Sequence, residues 1–562
     1  MTAGGEDAIP RYERAALAGL VAANVGLRLV YAFLFRFDTD ETQHLHVAWA
    51  WAQGLVQYRD LFDNHAPLFH LLSAAPLAAA GEGPHVLYES RLAMLPLAAA
   101  LLALAFALGR SLFSVRVGLW TAALAGLLPR VFLRTVEYRP DNLWAVLWLA
   151  ALAVLVTGRA TRGRSFAVGA ILGVALAVSL KTVVLVGALA CAGGFALALS
   201  PELRAAGRQR ALPGLALNFA AGLALVPALV LAFFGSLGSL PALRDCVVTH
   251  NSLAGLGLWE VGPARLAQVA LLAAASCAVS AALLYGARDG RLGARRAVLF
   301  LAAAAAQAVL GSLWPMWEPE HGLPYYPLLV LFGVAGAGTA LAALPRPATA
   351  AVAAAVAAAE IAVLVVHLRA PASRGDHTLA VIADVLALTD RGDLVMDLKG
   401  ETVFRARPVY FALEQVTRRE LKQGLISDAI EARLTATQTC VAVLDNPYFP
   451  PDGRAFMNAS FVPVGRVRVC GGLFDPPESG AHDFSFEVRI PSRYAIVGER
   501  GGAAGSLDGL EYAGPRFLTA GSHTFRARDD TDERIAFVWA QALERGFSPF
   551  ASARGFSSES SE

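Results

Sequence analysis

The sequence predicts a polytopic α-helical membrane protein of about eleven spans with a C-terminal extracytoplasmic region, part α/β and part β-sandwich. Three observations predict it. The chain of 562 residues is 56% hydrophobic and only 16% charged, where soluble chains carry about 25% charged residues. Its apolar residues are concentrated before residue 370, in runs long enough to cross a bilayer core. Arg and Lys recur in every second segment between those runs, as they do where positive residues resist translocation.

In order, the runs are 17–35, 92–108, 117–133, 142–156, 166–180, 183–199, 215–234, 266–285, 297–313, 326–341 and 348–366. The stretch 67–80 is too short to span and is expected at the interface. The basic side carries Arg11 and Arg14, then Arg110 and Arg116, then Arg159, Arg162 and Arg164, then Arg204, Arg208 and Arg210, then Arg288, Arg291, Arg295 and Arg296, and finally Arg346. That side is the cytoplasm by the positive-inside rule. An odd number of spans then places residues 38–65, the 137–141 turn, Lys181, the 314–324 loop and the C-terminal part outside. The expected localisation is multi-pass in a membrane, with the C-terminal part extracytoplasmic; the resemblance given below implies the bacterial inner membrane.

Beyond residue 370 charged residues return and short alternating runs such as 439–444 and 464–469 read as strands. The expected organisation is a transmembrane domain over 1–370, a small α/β domain over 371–475, a β-sandwich-like module over 480–552, and a disordered Ser/Glu-rich tail over 553–562. Five cysteines exclude a disulfide scaffold, and no Cys/His spacing resembles a zinc site. Cys440 and Cys470 each end a strand-like stretch and would be placed to bridge in an oxidising compartment. The net charge of +2, from 47 Lys and Arg against 45 Asp and Glu, gives no support for nucleic-acid binding.

Candidate chemistry begins after the first run, at Phe37-Asp38-Thr39-Asp40-Glu41-Thr42-Gln43-His44. Asp38 with Glu41 has capping-box spacing, which accounts for Asp38 but leaves Asp40 without a reason. On a helix His44 lies one turn from Asp40 and Glu41, and such a trio could act as a general base or hold a divalent ion. His65, just before Pro67, stands at the outer end of the interfacial segment, where it meets either water or an anionic headgroup. Glu137-Tyr138-Arg139-Pro140-Asp141 is either an ordinary helix start or a group of ionisable residues lining a cavity. Lys181 interrupts an apolar stretch and must reach the interface or a wet pocket. Glu360, in the last run, has no evident role. The 314–326 loop, with His321 and Tyr325, is an aromatic belt or a lid.

Together these pieces resemble the GT-C membrane glycosyltransferases, specifically bacterial family 39 proteins akin to protein O-mannosyltransferases and the lipid A aminoarabinose transferase. The resemblance covers most of the chain. Its strongest part is Asp40-Glu41, Gly54-x-x-x-Tyr58-x-Asp60, His65-x-Pro67-Leu68 and Arg91. It implies a polyprenyl-phosphate sugar donor, an acidic pair matching Asp40 and Glu41, and a second acid for which Asp141 is the match. It implies donor-phosphate binding by His65, Arg139 and Lys181, with His65 standing near where the aminoarabinose transferase has a lysine. His44, Tyr58, His321 and Tyr325 fall to the substrate or lid.

The expected function is inverting transfer of a sugar from that carrier to a hydroxyl acceptor outside the cytoplasmic membrane, with no cofactor required beyond a divalent cation at Asp40, Glu41 and His44 should one bind. The acceptor is open: protein, lipid or envelope glycan. The rivals are a transporter or flippase of lipid-linked glycans, which usually carries mid-membrane charges and internal repeats, and a non-catalytic glycan-binding protein working through its β module.

Overall fold

All eleven apolar runs fall on helices in the computed structural model, which describes residues 9–200, 211–252, 256–287, 289–369, 373–475, 483–528 and 533–551. Arg204, Arg208, Arg210, Arg288 and the 553–562 tail lie outside the described residues. Through the apolar part the helices are α1 (Arg11–Leu34), α2 (Thr39–Ala52), α3 (Leu68–Ala80), α4 (Val86–Leu112), α5 (Val115–Leu127), α6 (Pro129–Val136) and α7 (Pro140–Val156). They continue with α8 (Arg162–Val178), α9 (Thr182–Leu199), α10 (Ala211–Ser236), α11 (Pro263–Tyr285), α12 (Gly290–Ala308), α13 (Tyr326–Ala340) and α14 (Arg346–Arg369). Among the described residues seven helices are long and apolar enough to cross a membrane, and the count is eight if the bent pair α5 and α6, which meet at 66°, is taken as one span. The single run 117–133 is therefore two helices, because Pro129 has no N–H to continue the first and suits the first position of the second. At 15–17 residues, α7, α8 and α13 are shorter than a full crossing, about 22–25 Å.

The described residues divide into two compact units, each assembled from separated stretches. The first comprises Met1–Arg36, Asn64–Ser73 and Tyr88–Ala372. It is a helical membrane bundle. Where its helices meet, small residues let backbones approach: a Cβ added at Gly173 of α8 would lie 2.6 Å from the Leu223 carbonyl of α10, and one at Gly169 would collide with that of Phe219. Buried polar links also join the bundle. Arg116 reaches the buried Glu13 at 2.7 Å, and Arg28 donates to Thr135 at 2.8 Å. Arg91 donates to the carbonyls of Phe35 and Arg36, both at 2.7 Å, so this residue holds the end of α1. Basic residues of the short loops do similar work: Arg296 donates to the Leu112 carbonyl at 2.8 Å and Arg295 to that of Gly158 at 2.7 Å. Leu217 and Leu271 are more than 70% exposed, as lipid-facing side chains would be.

The second unit joins Phe37–Asp63 and Ala74–Leu87 to Ser373–Glu562. The residues that follow the first span thus belong with the C-terminal part. Its helices are α15 (Ser373–Leu388), α16 (Gln415–Lys422), α17 (Ile430–Thr437), α18 (Pro451–Ser460) and α19 (Ala540–Glu544). The strands are β1 (Val395–Met396), β2 (Val441–Ala442), β3 (Phe461–Val464), β4 (Val467–Phe474), β5 (Asp483–Val488) and β6 (Ser492–Gly498), then β7 (Gly501–Gly502), β8 (Gly505–Leu507), β9 (Leu510–Glu511), β10 (Arg516–Leu518), β11 (Gly521–Ala527) and β12 (Ile535–Trp539).

One sheet runs β1-β2-β4-β12-β6-β10, with β3 beside β4 and β7 beside β6; a second runs β5-β11-β8-β9. β1 and β2 are parallel and the other pairs antiparallel. β5 alternates exposed and buried residues along its length, so one face of its sheet is covered. Phe486 of the second sheet stacks on Phe537 of the first at 4.3 Å, closing the sandwich. The opposite face of the first sheet is covered by Val381, Val385 and Leu388 of α15 and Ala542 of α19. Cys470 donates its N–H to the Cys440 carbonyl at 3.0 Å and its thiol to the Thr439 carbonyl at 3.7 Å; both cysteines are buried and no disulfide joins them.

Candidate active site

The sequence-predicted site residues fall into two groups, one in each unit. In the second unit, α2 begins with a complete capping box. Asp38 accepts the Asp40 N–H at 3.0 Å, and Glu41 accepts the Asp38 N–H at 2.9 Å. Glu41 is fully buried in that role. Asp40 takes no part in the box through its side chain. Its carboxylate is ion-paired with Lys399, whose side chain is nine-tenths buried. His44 lies one turn along α2 from Asp40 and is buried.

Lys399 is aimed by the loop that follows β1. Asp397 accepts from the N–H groups of Gly400 at 2.8 Å and Thr402 at 2.9 Å, and from the Arg407 guanidinium at 2.9 Å. Gly400 has φ +100°, and a Cβ there would sit 2.8 Å from the His46 ring. Val403, at φ +59°, is a β-branched residue in the left-handed region, and its carbonyl lies 2.9 Å from His46 Nδ1. Burial pushes the His46 imidazole below its ordinary range, against the pull of Asp397. Among the described residues no group of three His, Cys, Asp or Glu is arranged to hold a metal ion, the set Asp40, Glu41 and His44 included.

Tyr58 and Asp60 shape the loop itself. Tyr58 adopts φ +72° and is buried, and Asp60 accepts the Val56 N–H at 2.7 Å while paired with Arg59. Arg59 holds the Asp60 carboxyl below the usual carboxylate range. Gln57 bridges Trp51 at 2.9 Å and Asp63 at 2.6 Å.

In the first unit, the 137–141 turn is the centre of a charge network. Arg139 pairs with Glu137 at 2.8 Å and with Glu320 at 2.9 Å. Arg134 also reaches Glu137, at 2.7 Å. Lys181 pairs with Asp141 at 3.0 Å, and its ammonium lies 5.2 Å from the centre of the Trp144 ring. His321 is within electrostatic range of Lys181, Asp141 and Arg139, and burial with the two cations keeps its imidazole well below its ordinary range. Tyr325, on the same loop, packs against Tyr326 at 4.9 Å. The structure therefore brings Arg139, Asp141, Lys181 and His321 together. His65 is half-buried and stands 6.2 Å from His70 across an edge-to-face contact.

Lys399 and Arg134 were not legible as site residues. Arg134 could have been found, since it stands three positions before Glu137 at the end of an apolar run. Lys399 carries no such signal.

A bundle of apolar helices, in a multi-pass membrane protein, together with a C-terminal sheet region is the fold that this chain shares with solved structures of ArnT. The chain is similar in fold to ArnT from Cupriavidus metallidurans in the apo state, with a TM-score of 0.54, 14% identity, and coverage of 81% of this chain and 98% of that one. It is similar likewise to ArnT bound to undecaprenyl phosphate, with a TM-score of 0.53 at the same identity and coverage. No protein-family model and no curated protein sequence matches the chain.

Proposed function

We propose that this protein is an inverting glycosyltransferase that moves a sugar from a polyprenyl-phosphate carrier to a hydroxyl acceptor at the outer face of the bacterial cytoplasmic membrane, where its C-terminal part also lies. The observation that carries this reading is Asp40: a carboxylate six positions after the end of α1 in the sequence that the helix cap does not use and that a cation from the C-terminal part holds. The fold likeness to ArnT, solved with undecaprenyl phosphate, supports the donor class.

In this reading Asp40 takes the proton of the acceptor hydroxyl as its oxygen forms a bond to the anomeric carbon. The bond from that carbon to the phosphate oxygen breaks, and the phosphate leaves with the electron pair. Single displacement inverts the anomeric centre. Lys181, Arg139 and His65 stabilise the charge developing on the phosphate, and Asp141 is the second acid. Glu41 orients the start of α2.

The test is to offer the purified protein a panel of radiolabelled polyprenyl-phosphate sugars and follow loss of sugar from the carrier. Hydrolysis or transfer supports the enzyme. Movement of intact lipid-linked sugar across vesicles without bond cleavage supports the flippase instead.

A further inference from the structure

The charge network around the 137–141 turn is already balanced. Its carboxylates, Glu137, Glu320 and Asp141, face Arg134, Arg139 and Lys181 across 2.7–3.7 Å. A phosphate brought to such a set adds negative charge, and charge held away from bulk water needs a partner. A further cation stands one turn back along α6. Arg130 and Arg134 are i and i+4 on that helix and share a face.

Arg130 is exposed, and its guanidinium has no carboxylate partner among the described residues. Two aromatic residues of the first unit hold it instead. Its Nη1 donates to the Tyr326 hydroxyl at 2.9 Å, and the guanidinium lies 5.2 Å from the centre of the Trp317 ring and 6.0 Å from that of Tyr326. Tyr326 can lie there because residue 322 is glycine, for a Cβ at Gly322 would collide with its ring. That single hydrogen bond occupies one of five N–H donors, and the planar fork that grips phosphate with two parallel bonds is left open.

An exposed arginine by itself is only a solvated charge. The setting of this one says more. Trp and Tyr side chains gather where a bilayer meets water, at the level of the headgroups. Beyond Trp317 and Tyr326 the aromatic group continues with Trp314, which meets Trp259 edge to face at 5.5 Å. Arg130 therefore sits at the depth where lipid phosphates lie, beside a network that has no positive charge to spare.

We infer that Arg130, framed by Trp317 and Tyr326, binds a phosphate carried on a membrane lipid. The identity of that lipid rests on the transfer reading above, under which it is the polyprenyl-phosphate donor. Phosphate oxygens accept two of the open N–H groups of Arg130 while the lipid chain stays in the bilayer. Arg130 supplies the positive charge that the paired acids withhold from Arg139 and Lys181. It is a binding residue and moves no proton.

The test reads binding alone, so it needs neither sugar nor acceptor. The purified full chain in detergent is titrated with undecaprenyl phosphate and, separately, with phosphatidylglycerol, and bound lipid is counted by native mass spectrometry. Arg130→Met is expected to weaken undecaprenyl phosphate by about tenfold or more, the worth of one charge-assisted hydrogen bond, and phosphatidylglycerol by less than about twofold. Trp317→Leu, which keeps the charge and removes a ring, weakens undecaprenyl phosphate less. Equal weakening of both lipids keeps the lipid-phosphate site but removes its assignment to the donor. Unchanged binding of both overturns the site. Should Arg130→Met melt lower than the wild type, the wild-type protein decides: phenylglyoxal modifies an exposed arginine, and either lipid is expected to shield Arg130 where inorganic phosphate at the same concentration does not. No shielding, or equal shielding by inorganic phosphate, likewise overturns the site. Lipid phosphate bound through Arg130 in a protein that cleaves no polyprenyl-linked sugar would keep the site and sink the transfer reading.

Discussion

The carboxylate of Asp40 and the ammonium of Lys399 form an ion pair across 359 positions of sequence. One partner opens the helix after the first span and the other stands on a loop that Asp397 and Gly400 shape. The acid is thereby held in one orientation without serving the helix cap.

Removing the acid while keeping its shape is the most direct test of the transfer reading. Asp40→Asn lowers turnover by at least about 100-fold, the lower bound for loss of a positioned base. The protein still inserts and purifies, because the capping box belongs to Asp38 and Glu41. Wild-type turnover in this variant would remove Asp40 from the chemistry.

Arg139 and Lys181 are expected to fail differently. Arg139→Met takes one of two cations from the buried Glu137 and Glu320, leaving them Arg134 at 2.7 and 3.7 Å, and costs up to about 3 kcal/mol. Its signature is a lower melting temperature and poor yield. Lys181 is more accessible and pairs with one acid, so Lys181→Met raises donor KM by about tenfold. Equal losses of stability in both variants would contradict the assignment of Lys181 to donor binding.

The helix contact between α8 and α10 depends on missing side chains. Gly169→Leu or Gly222→Val forces backbones apart and reduces folded protein in the membrane, since overpacking costs about 1–3 kcal/mol or more. A Cβ added at Gly187 on α9 meets nothing within 4 Å, so Gly187→Ala is tolerated. Size-exclusion recovery after mild heating would compare the three.

Glu401 gives unit two a pH dependence. Burial and the nearby Asp397 carboxylate raise its pKa from an ordinary 4.5 to about 7, against the Leu398 N–H, Lys399 and Arg407. The folded state therefore binds more protons than the unfolded one between these values, and this contribution to stability is lost as pH rises through them. Glu401→Gln removes the titration, so its melting temperature falls less than the wild type's between pH 4.5 and 8, by about 3 °C. Parallel melting curves across that window would disprove the effect.

The membrane helices were legible because lipid demands long apolar runs, and all eleven are helical. The capping box was legible from the spacing of Asp38 and Glu41, and its presence is what isolates Asp40. The pairings of Asp40 with Lys399 and Arg139 with Glu320 were not legible, because an ion pair leaves no periodicity when its partners lie 359 and 181 positions apart. Tyr58 and Asp60 stood out as motif residues, yet the structure uses them to turn the backbone and hold it. The bend at Pro129 was written in the sequence; a hydropathy window passes over it because the residues on both sides are apolar.

Because the 37–63 segment belongs with residues made after Ser373, the ribosome completes the two in the wrong order for immediate assembly. At about 5–20 residues per second, the interval between Asp40 and Lys399 is roughly 20–70 s. Throughout it the early segment has emerged without its later companion. Any factor that escorts nascent membrane proteins would find it waiting, and a truncation before Ser373 would leave it waiting for good.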